Sequence, residues 1–546
     1  MGYKQGKVSF YGSYNYSSEK AYSIIDQERQ LPGNNYYRSH TYSDFWRVSN
    51  NIKLEGTYDI SKSQYISLYY IYQPKSGADS VYSNSNVISQ LPSKSLFSTG
   101  TFPNLFASRY SNIGLNYNIQ TDTSGSKFTL VADYTSFKED ANSYTNSKTY
   151  NSNNNKINDT AFGFFYPNIS KILTTNISFN KILSKSLSFS IGGKLTKTDI
   201  SNDNYYNILS IATWSRPKGL DLNYRYYEDI YAGYVNFKGV YRDINFQLGL
   251  RGEQSDVDGK VNAINKDTTL SSRYFNLFPT LYLLKNLDSH KDLSLTLSYN
   301  KRIERPTYSD LTPYKYYIDN FSVQQGNPYL KPQFTNAFEG GLSYKQKYNF
   351  SLGYNYTNNV ISTVIKTDPN DATMIVSTEN VGKNRVYSAN FSAQVKMTKW
   401  WNATNNLLLT HTLSNSSAFQ LKQSSFLIQS EQDVQISKRA NLSINAHYTP
   451  HVLEGNIITN RMASVDVGFR MKFLGDRLLA KAAISDIFYT DNFKATSYYY
   501  ESKLNLAQKL QTRVFSLSLI YNFQIGKAFQ PKEIEKSNES EQKRLK

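Results

Sequence analysis

The chain has 546 residues, with 61 Lys and Arg against 43 Asp and Glu, a net charge of +18, no Cys, 47 Tyr and 30 Phe. Without Cys there is neither a disulfide scaffold nor a thiolate-held zinc or iron–sulfur site, and an aromatic content of 15% excludes disorder over most of the length. Ser, Asn, Lys or Asp interrupts every apolar stretch within a few positions, so nothing supplies the roughly 20 apolar residues that a membrane-spanning helix needs.

The first 30 residues lack the basic start, apolar middle and small-residue cleavage site of a signal peptide. From there the dominant period is two. Alternation predicts twenty strands, near 7–18, 43–58, 64–74, 107–119, 127–138, 170–182, 186–199, 224–239, 243–256, 271–285, 291–304, 334–345, 348–365, 374–397, 400–412, 424–437, 440–449, 461–473, 478–490 and 511–524. The segment Leu293-Ser294-Leu295-Thr296-Leu297-Ser298-Tyr299-Asn300 typifies them, with one apolar and one wet face.

Short turns, at 4–7, 60–64, 183–186, 239–243, 345–347, 437–440 and 474–477, alternate with long polar connections near 19–42, 75–106, 139–169, 200–223, 257–270, 305–333, 366–373, 413–423, 450–460 and 491–510. An antiparallel meander sorted in this way predicts an all-β, transmembrane, up-and-down β-barrel. In hydrocarbon a sheet satisfies its backbone only by closing on itself. Ser294, Thr296, Ser298, Gln247, Gly249, Asp466, Gly468, Ser516 and Ser518 then face a wet lumen, and the Tyr excess fits girdles at both interfaces. A soluble β-sandwich is the alternative, but it would need larger apolar side chains on its inner faces than the Ser, Asn, Gly and Thr found here.

The stretch Arg302-Ile303-Glu304-Arg305-Pro306-Thr307-Tyr308-Ser309-Asp310-Leu311-Thr312-Pro313, then Gly326-Asn327-Pro328-Tyr329-Leu330-Lys331-Pro332 and Phe338-Glu339-Gly340-Gly341, resembles the signature of TonB-dependent receptor barrels, within them the outer-membrane β-barrel group. Tyr227–Tyr234, Gly249–Glu253, Glu379–Lys383 and Ser485–Thr490 are further matching pieces, and the resemblance covers about residues 1–524. It implies a barrel of 22 strands, about 20 of them present here, with an N-terminal plug and TonB-binding box that would lie upstream of Met1 together with a signal peptide. On that reading the chain is a partial product, and residues 7–18 and 511–524 are expected to close the barrel against each other. Residues 1–524 are expected to form the barrel. Phe523 fits the terminal aromatic recognised by the barrel-assembly machinery, and residues 525–546 are read as a polar, disordered periplasmic tail.

The implied function is uptake of a scarce nutrient such as a siderophore, cobalamin, oligosaccharide or peptide. The implied location is the outer membrane of a Gram-negative bacterium, with long loops extracellular and both termini periplasmic. An inner-membrane energy-coupling complex would act only through the plug and box. A passive pore or a surface adhesin is the alternative. Tyr314, Tyr316, Tyr317 and Asp319 in the 305–333 connection, with Tyr498, Tyr499 and Tyr500 in the last one, are candidate ligand contacts through aromatic stacking and carboxylate hydrogen bonds. Arg305, Pro306, Gly326, Asn327, Pro328, Leu330, Pro332 and Glu339 are read as structural motif residues, with Pro and Asn fixing loop geometry.

His447 and His451 have a helical metal-ligand spacing, but Pro450 and a strand end splay them. Ser255-Asp256-Val257-Asp258-Gly259 reads as an Asp-Gly turn, because it lacks the further acidic ligands of a calcium loop. No nucleophile elbow, phosphate loop or HExxH motif is present, so the reading assigns no enzymatic activity, cofactor or metal. Lys and Arg are dispersed rather than clustered, which argues against nucleic acid and for lipopolysaccharide phosphates and outer-membrane lipid as partners.

Overall fold

The computed structural model describes residues 2–31, 35–210, 213–217, 221–263, 266–367, 373–499, 502–522, 532 and 534–545; Tyr500 and Phe523 lie outside them. An antiparallel sheet of 28 strands contains a wall of twenty: Val8–Leu31, Asn35–Asp59, Gln64–Ile88, Asn104–Gln120, Lys127–Asn151, Asn168–Ser184, Leu187–Ser210, Leu222–Tyr241, Ile244–Ala263, Lys266–Asn286, Leu293–Glu304, Gln333–Tyr344, Tyr348–Asn358, Lys383–Lys396, Trp401–Asn415, Gln420–Gln435, Ala440–Thr449, Met462–Phe473, Leu478–Ile484 and Phe515–Tyr521. Each pairs with the next along the chain. Every predicted segment coincides with one of them.

The wall is inside-out relative to a protein surrounded by water. Leu68, Ile113, Ile177, Ile191, Leu250, Leu297 and Leu352 stand 45–55% exposed on the outer face, whereas Ser67, Asn112, Asn116, Thr135, Thr174, Thr196 and Ser255 are completely buried inside. So large an apolar surface is tolerable only against lipid. Tyr231 and Tyr241 lie ten residues apart on one outward face of a single strand. At about 3.4 Å per residue and a tilt of about 40° they are separated by ~26 Å along the axis, which matches an apolar band about 25 Å tall between two aromatic girdles. Tyr58, Tyr344 and Tyr348 continue the lower girdle. The turns below it are tight: Arg242 and Asp243, and likewise Lys345 and Gln346, all have positive φ, the geometry whose twist suits a two-residue hairpin.

Above the upper girdle the structure departs from the expected loops. The strands Val8–Leu31, Asn35–Asp59, Gln64–Ile88 and Lys127–Asn151 run for 24 or 25 residues, and so absorb most of the connections at 19–42, 75–106 and 139–169. The Asn/Ser-rich part of the connection expected near 139–169 turns only at 152–155, and Ser255–Gly259 is mid-strand rather than a turn, with Asp258 opposite Ser271. Beyond the lipid neither face need be apolar, because the outer one meets water and the inner one buries Ser and Thr, so the alternation of apolar and polar residues disappears while the ladder continues. Cross-strand hydroxyl pairs such as Thr41–Ser83 at 2.9 Å take over. The later strands Leu293–Glu304, Gln333–Tyr344 and Tyr348–Asn358 are only 11 or 12 residues long, so the wall is tall on one side and low on the other.

Three predicted strands overran by several residues: 478–490 stops at Ile484, and 348–365 and 374–397 each include a piece that leaves the wall. At Asn359 and Gly382, both with positive φ, the chain leaves the wall. Only glycine fits at 382, because a Cβ there would lie 2.3 Å from the Asn415 carbonyl oxygen. The detached pieces Ile361–Thr367 and Met374–Asn380 join Lys315–Asp319 and Ser322–Gln325 in a separate four-stranded sheet.

Closure also differs from expectation. Among the described residues no ladder joins Phe515–Tyr521 to Val8–Leu31. Instead Gly2–Gln5 folds back on Val8–Tyr11, and the wall meets higher up, where Ser23–Arg29 pairs with Leu504–Leu510. The Gly2–Gln5 stub occupies the edge of Val8–Tyr11 that the last strand would have needed.

Candidate functional site

The connection between Glu304 and Gln333 turns inward. Arg305 Nη2 donates to Glu253 Oε2 at 2.8 Å and to Ser255 Oγ at 2.9 Å, which pins the segment to the inner wall. The Thr307 hydroxyl then caps a single helical turn, Tyr308–Leu311, by accepting from Asp310 N. Tyr308 and Leu311 pack with Ile172, Ile200, Tyr224, Tyr226, Val261 and Leu330 in a small buried cluster. The GNPxLxP block holds the far side of this loop. A Cβ at Gly326 would sit 2.1 Å from the Thr312 carbonyl oxygen, Asn327 Nδ2 donates to the Thr378 carbonyl, and Asn327 Oδ1 accepts from Tyr329 N. Pro306 offers its carbonyl to Arg544. Glu339 lies in the wall opposite Ser298.

The small sheet fills the mouth formed by the tall strands. Tyr37 donates to Asp319 Oδ2 at 2.7 Å, Asn320 donates to Ser98 and Thr149, Asn104 donates to the Tyr316 hydroxyl, and Tyr206 donates to the Lys315 carbonyl. Tyr314 stacks on Tyr166 at 5.6 Å and packs against Phe164 at 5.5 Å, while Tyr317 meets Phe162 edge-on at 5.1 Å. Three of the four aromatic and acidic residues singled out in this loop thus contact the run Phe162-Gly163-Phe164-Phe165-Tyr166 or the wall beside it, and the fourth, Asp319, anchors the sheet to the strand Asn35–Asp59. That aromatic run was visible in the sequence but carried no partner there.

The Tyr166–Tyr314 stack separates two cavities. One, of about 300 Å³, lies under the small sheet between Tyr316, Gln324, Thr363 and Ser377. The larger, of about 970 Å³, opens below it between Arg47, Phe106, Tyr110, Phe137, Glu139 and Tyr308. Burial pushes the Tyr314 phenol up to about 12, with Glu139 and Tyr316 adding to the effect. Its hydroxyl is therefore a permanent hydrogen-bond donor at neutral pH. Burial also raises the Asp319 carboxyl above its usual range, against the opposing hydrogen bonds from Tyr37 and Phe321 N. Aromatic faces and phenolic donors suit a flat or aromatic solute carrying acceptor oxygens, while the Arg47 guanidinium at the cavity wall is paired with Asp79 and lies 4.9 Å over the Phe106 ring.

Tyr498 and Tyr499 belong elsewhere. They end the strand Phe493–Tyr499, which pairs with Ser502–Leu510, and Tyr499 packs against the cluster of Val360, Val364, Val381 and Phe419. The structure does not bring them to Tyr314. His447 sits in the wall opposite Ser464, and His451 Nδ1 lies 3.1 Å from the Thr459 carbonyl in a separate hairpin. Among the described residues no three His, Cys, Asp or Glu side chains are placed to hold a metal ion.

The described part of the C-terminal segment does not hang free, contrary to expectation. Residues 535–545 lie inside the lumen, with Asn538, Glu541 and Arg544 all buried. Composition marks this segment as polar, but its partners are the polar inner wall rather than water, and those partners are hundreds of residues away.

A family model described as "Outer membrane protein beta-barrel family" matches residues 119–521. No curated protein matches in sequence. Among solved structures, the chain is similar to the siderophore receptor PiuA from Acinetobacter baumannii, with 10% identity and a TM-score of 0.52 over 90% of this chain and 81% of that one. It is also similar to the ferric-catecholate import receptor Fiu from Escherichia coli K12 (10% identity, TM-score 0.49, 90% and 82% covered) and to the siderophore receptor PirA from Pseudomonas aeruginosa (12% identity, TM-score 0.46, 90% and 80% covered). At 10% identity the likeness to PiuA is one of fold.

Proposed function

This chain belongs to the outer membrane protein β-barrel family, and from that premise we propose that it is the barrel of a TonB-dependent receptor that captures a siderophore-like nutrient. The observation that carries the reading is the cavity of about 970 Å³ below the small sheet, which sets aromatic rings such as Phe106, Tyr110 and Tyr314 among polar side chains, in a fold like that of the siderophore receptor PiuA. The tall end of the wall faces outward and the tight turns face the periplasm. Tyr314, Tyr316, Tyr317 and Asp319 hold the cover over the cavity, and Tyr314 with Arg47 meets the ligand. Energised passage would draw on a plug and TonB box working with an inner-membrane complex, as the sequence resemblance implies. Residues 1–524 form the barrel unit, and lipopolysaccharide surrounds its outer rim.

The test is equilibrium binding by the purified barrel in detergent, with a ferric catecholate chelate, cyanocobalamin and a neutral oligosaccharide as probes. The chelate should bind, and Tyr314→Ala should weaken it by about tenfold, the scale of one aromatic contact. Steady ion conductance with no affinity for any probe would move the assignment to a passive pore.

A further inference from the structure

The segment that ends the chain is built to fit the wall it lies against. Glu535 N donates to Asn116 Oδ1 while Asn116 Nδ2 donates back to the Glu535 carbonyl, both at 2.9 Å. Ser537 gives Asp133 Oδ2 two hydrogen bonds of 2.6 Å, one from its amide and one from its hydroxyl, and its Oγ lies 2.6 Å from Thr174 Oγ1. Asn538 Nδ2 donates to Thr135 Oγ1 at 2.8 Å and Asn112 Oδ1 at 3.2 Å. Glu541 receives Lys194 at 3.0 Å and the Thr196 hydroxyl at 3.3 Å. Arg544 pairs with Glu228, donates from Nε to the Pro306 carbonyl at 2.9 Å and lies 4.1 Å over the Tyr308 ring, whose backbone N–H donates to the Arg544 carbonyl.

The wall residues are ladder neighbours. Asn112 faces Thr135, Asp133 faces Thr174, Thr174 faces Thr196, and Thr198 faces Glu228, so the partners form one level around an arc of the lumen. Positions 535, 538, 541 and 544 grip the wall at every third residue, and Ser537 adds its contacts to Asp133 and Thr174 beside them. Lys536, Glu539, Gln542 and Lys543, which lie between them, supply the floor of the large cavity. Buried charges at Glu541 and Arg544 persist only because each has a partner.

We propose that residues 535–545 are a tethered lumen stopper: a segment of the chain itself that docks on this polar arc, narrows the pore and floors the cavity. The arc is accordingly a peptide-binding site, whose ligand class is a polar segment with a short helical turn, Glu539–Lys543, followed by a guanidinium. The proposal is independent of which nutrient the barrel takes.

Two measurements test it. In planar bilayers the full chain should conduct less than a variant ending at Gln530, and a synthetic peptide of residues 532–546 should restore the block. The same peptide carrying Arg544→Ala should need about tenfold or more higher concentration. Because the chain has no Cys, the pair Thr174→Cys and Ser537→Cys in the full chain should form one disulfide under mild oxidation, holding conductance at the low level until it is reduced. Equal conductance of full and shortened chains overturns the proposal. So does failure of the cysteine pair to cross-link in the folded, membrane-embedded chain, which also covers the case in which the shortened variant does not fold.

Discussion

Neighbouring substitutions on one strand separate a lipid-facing wall from any alternative packing. Leu297 is 47% exposed on the outer face, opposite Leu283 and Gly340, whereas Ser298 turns into the lumen opposite Glu339. Leu297 is the fifth residue of its strand, so at about 3.4 Å per residue and a tilt of about 40° it stands ~10 Å above the strand's start, well within an apolar band about 25 Å tall. An arginine there costs about 2–4 kcal/mol, a factor of about 30 to 1000 in the folding equilibrium. At 298 the guanidinium enters water and can pair with Glu339, so the cost should be close to zero. The assay is urea-dependent folding into liposomes, read by the heat-modifiable mobility of folded barrels. Leu297→Arg should lower the folding free energy by the stated amount and Ser298→Arg should leave it nearly unchanged. Equal effects of the two would refute the assignment of faces, and with it the membrane argument.

Other consequences are equally direct. Arg305→Ala removes one of the two guanidinium groups on Glu253, where Arg251 remains at 2.6 Å, and takes the donor from Ser255; it should cost about 1–3 kcal/mol, measured in the same titration. Gly326→Val must displace the Thr312 carbonyl; a cost of about 1–3 kcal/mol should appear as faster limited proteolysis within 305–333 while the membrane band stays folded. The Asp319 carboxyl is raised by burial, so the folded state holds its proton more tightly than the unfolded one. Its contribution is therefore complete below the ordinary carboxyl value of about 4 and is lost as pH rises through the raised value. Protease sensitivity of the small sheet should increase over that interval, and Asp319→Asn should flatten the profile.

The membrane band was legible because lipid outside and water inside impose opposite demands on successive side chains, as at Leu248, Gly249 and Leu250. Above the band that contrast is gone. Residues 139–151 carry Ser and Thr on one face and Asn, Tyr and Lys on the other, so they read as loop although they extend a ladder. The motif around Arg305 and Gly326 was legible as a pattern, but its work is tertiary: Glu253, Ser255 and Thr378 lie 50 to 52 positions from the residues they hold. Pairing Tyr314 with Tyr166, or Arg544 with Glu228, required the wall to be closed first, because each partner belongs to a different strand or connection. The tail misled for a related reason: polar composition signals solvation, and here the solvating groups belong to the protein.

The unequal strand lengths give the entrance a direction. Strands of 24 or 25 residues raise a parapet along the first third of the circumference, while those of 11 or 12 residues stop near the headgroups. In the orientation proposed above, with the tall end outward, the rim is slanted, so a molecule diffusing close to the cell surface meets an oblique doorway rather than a vertical shaft.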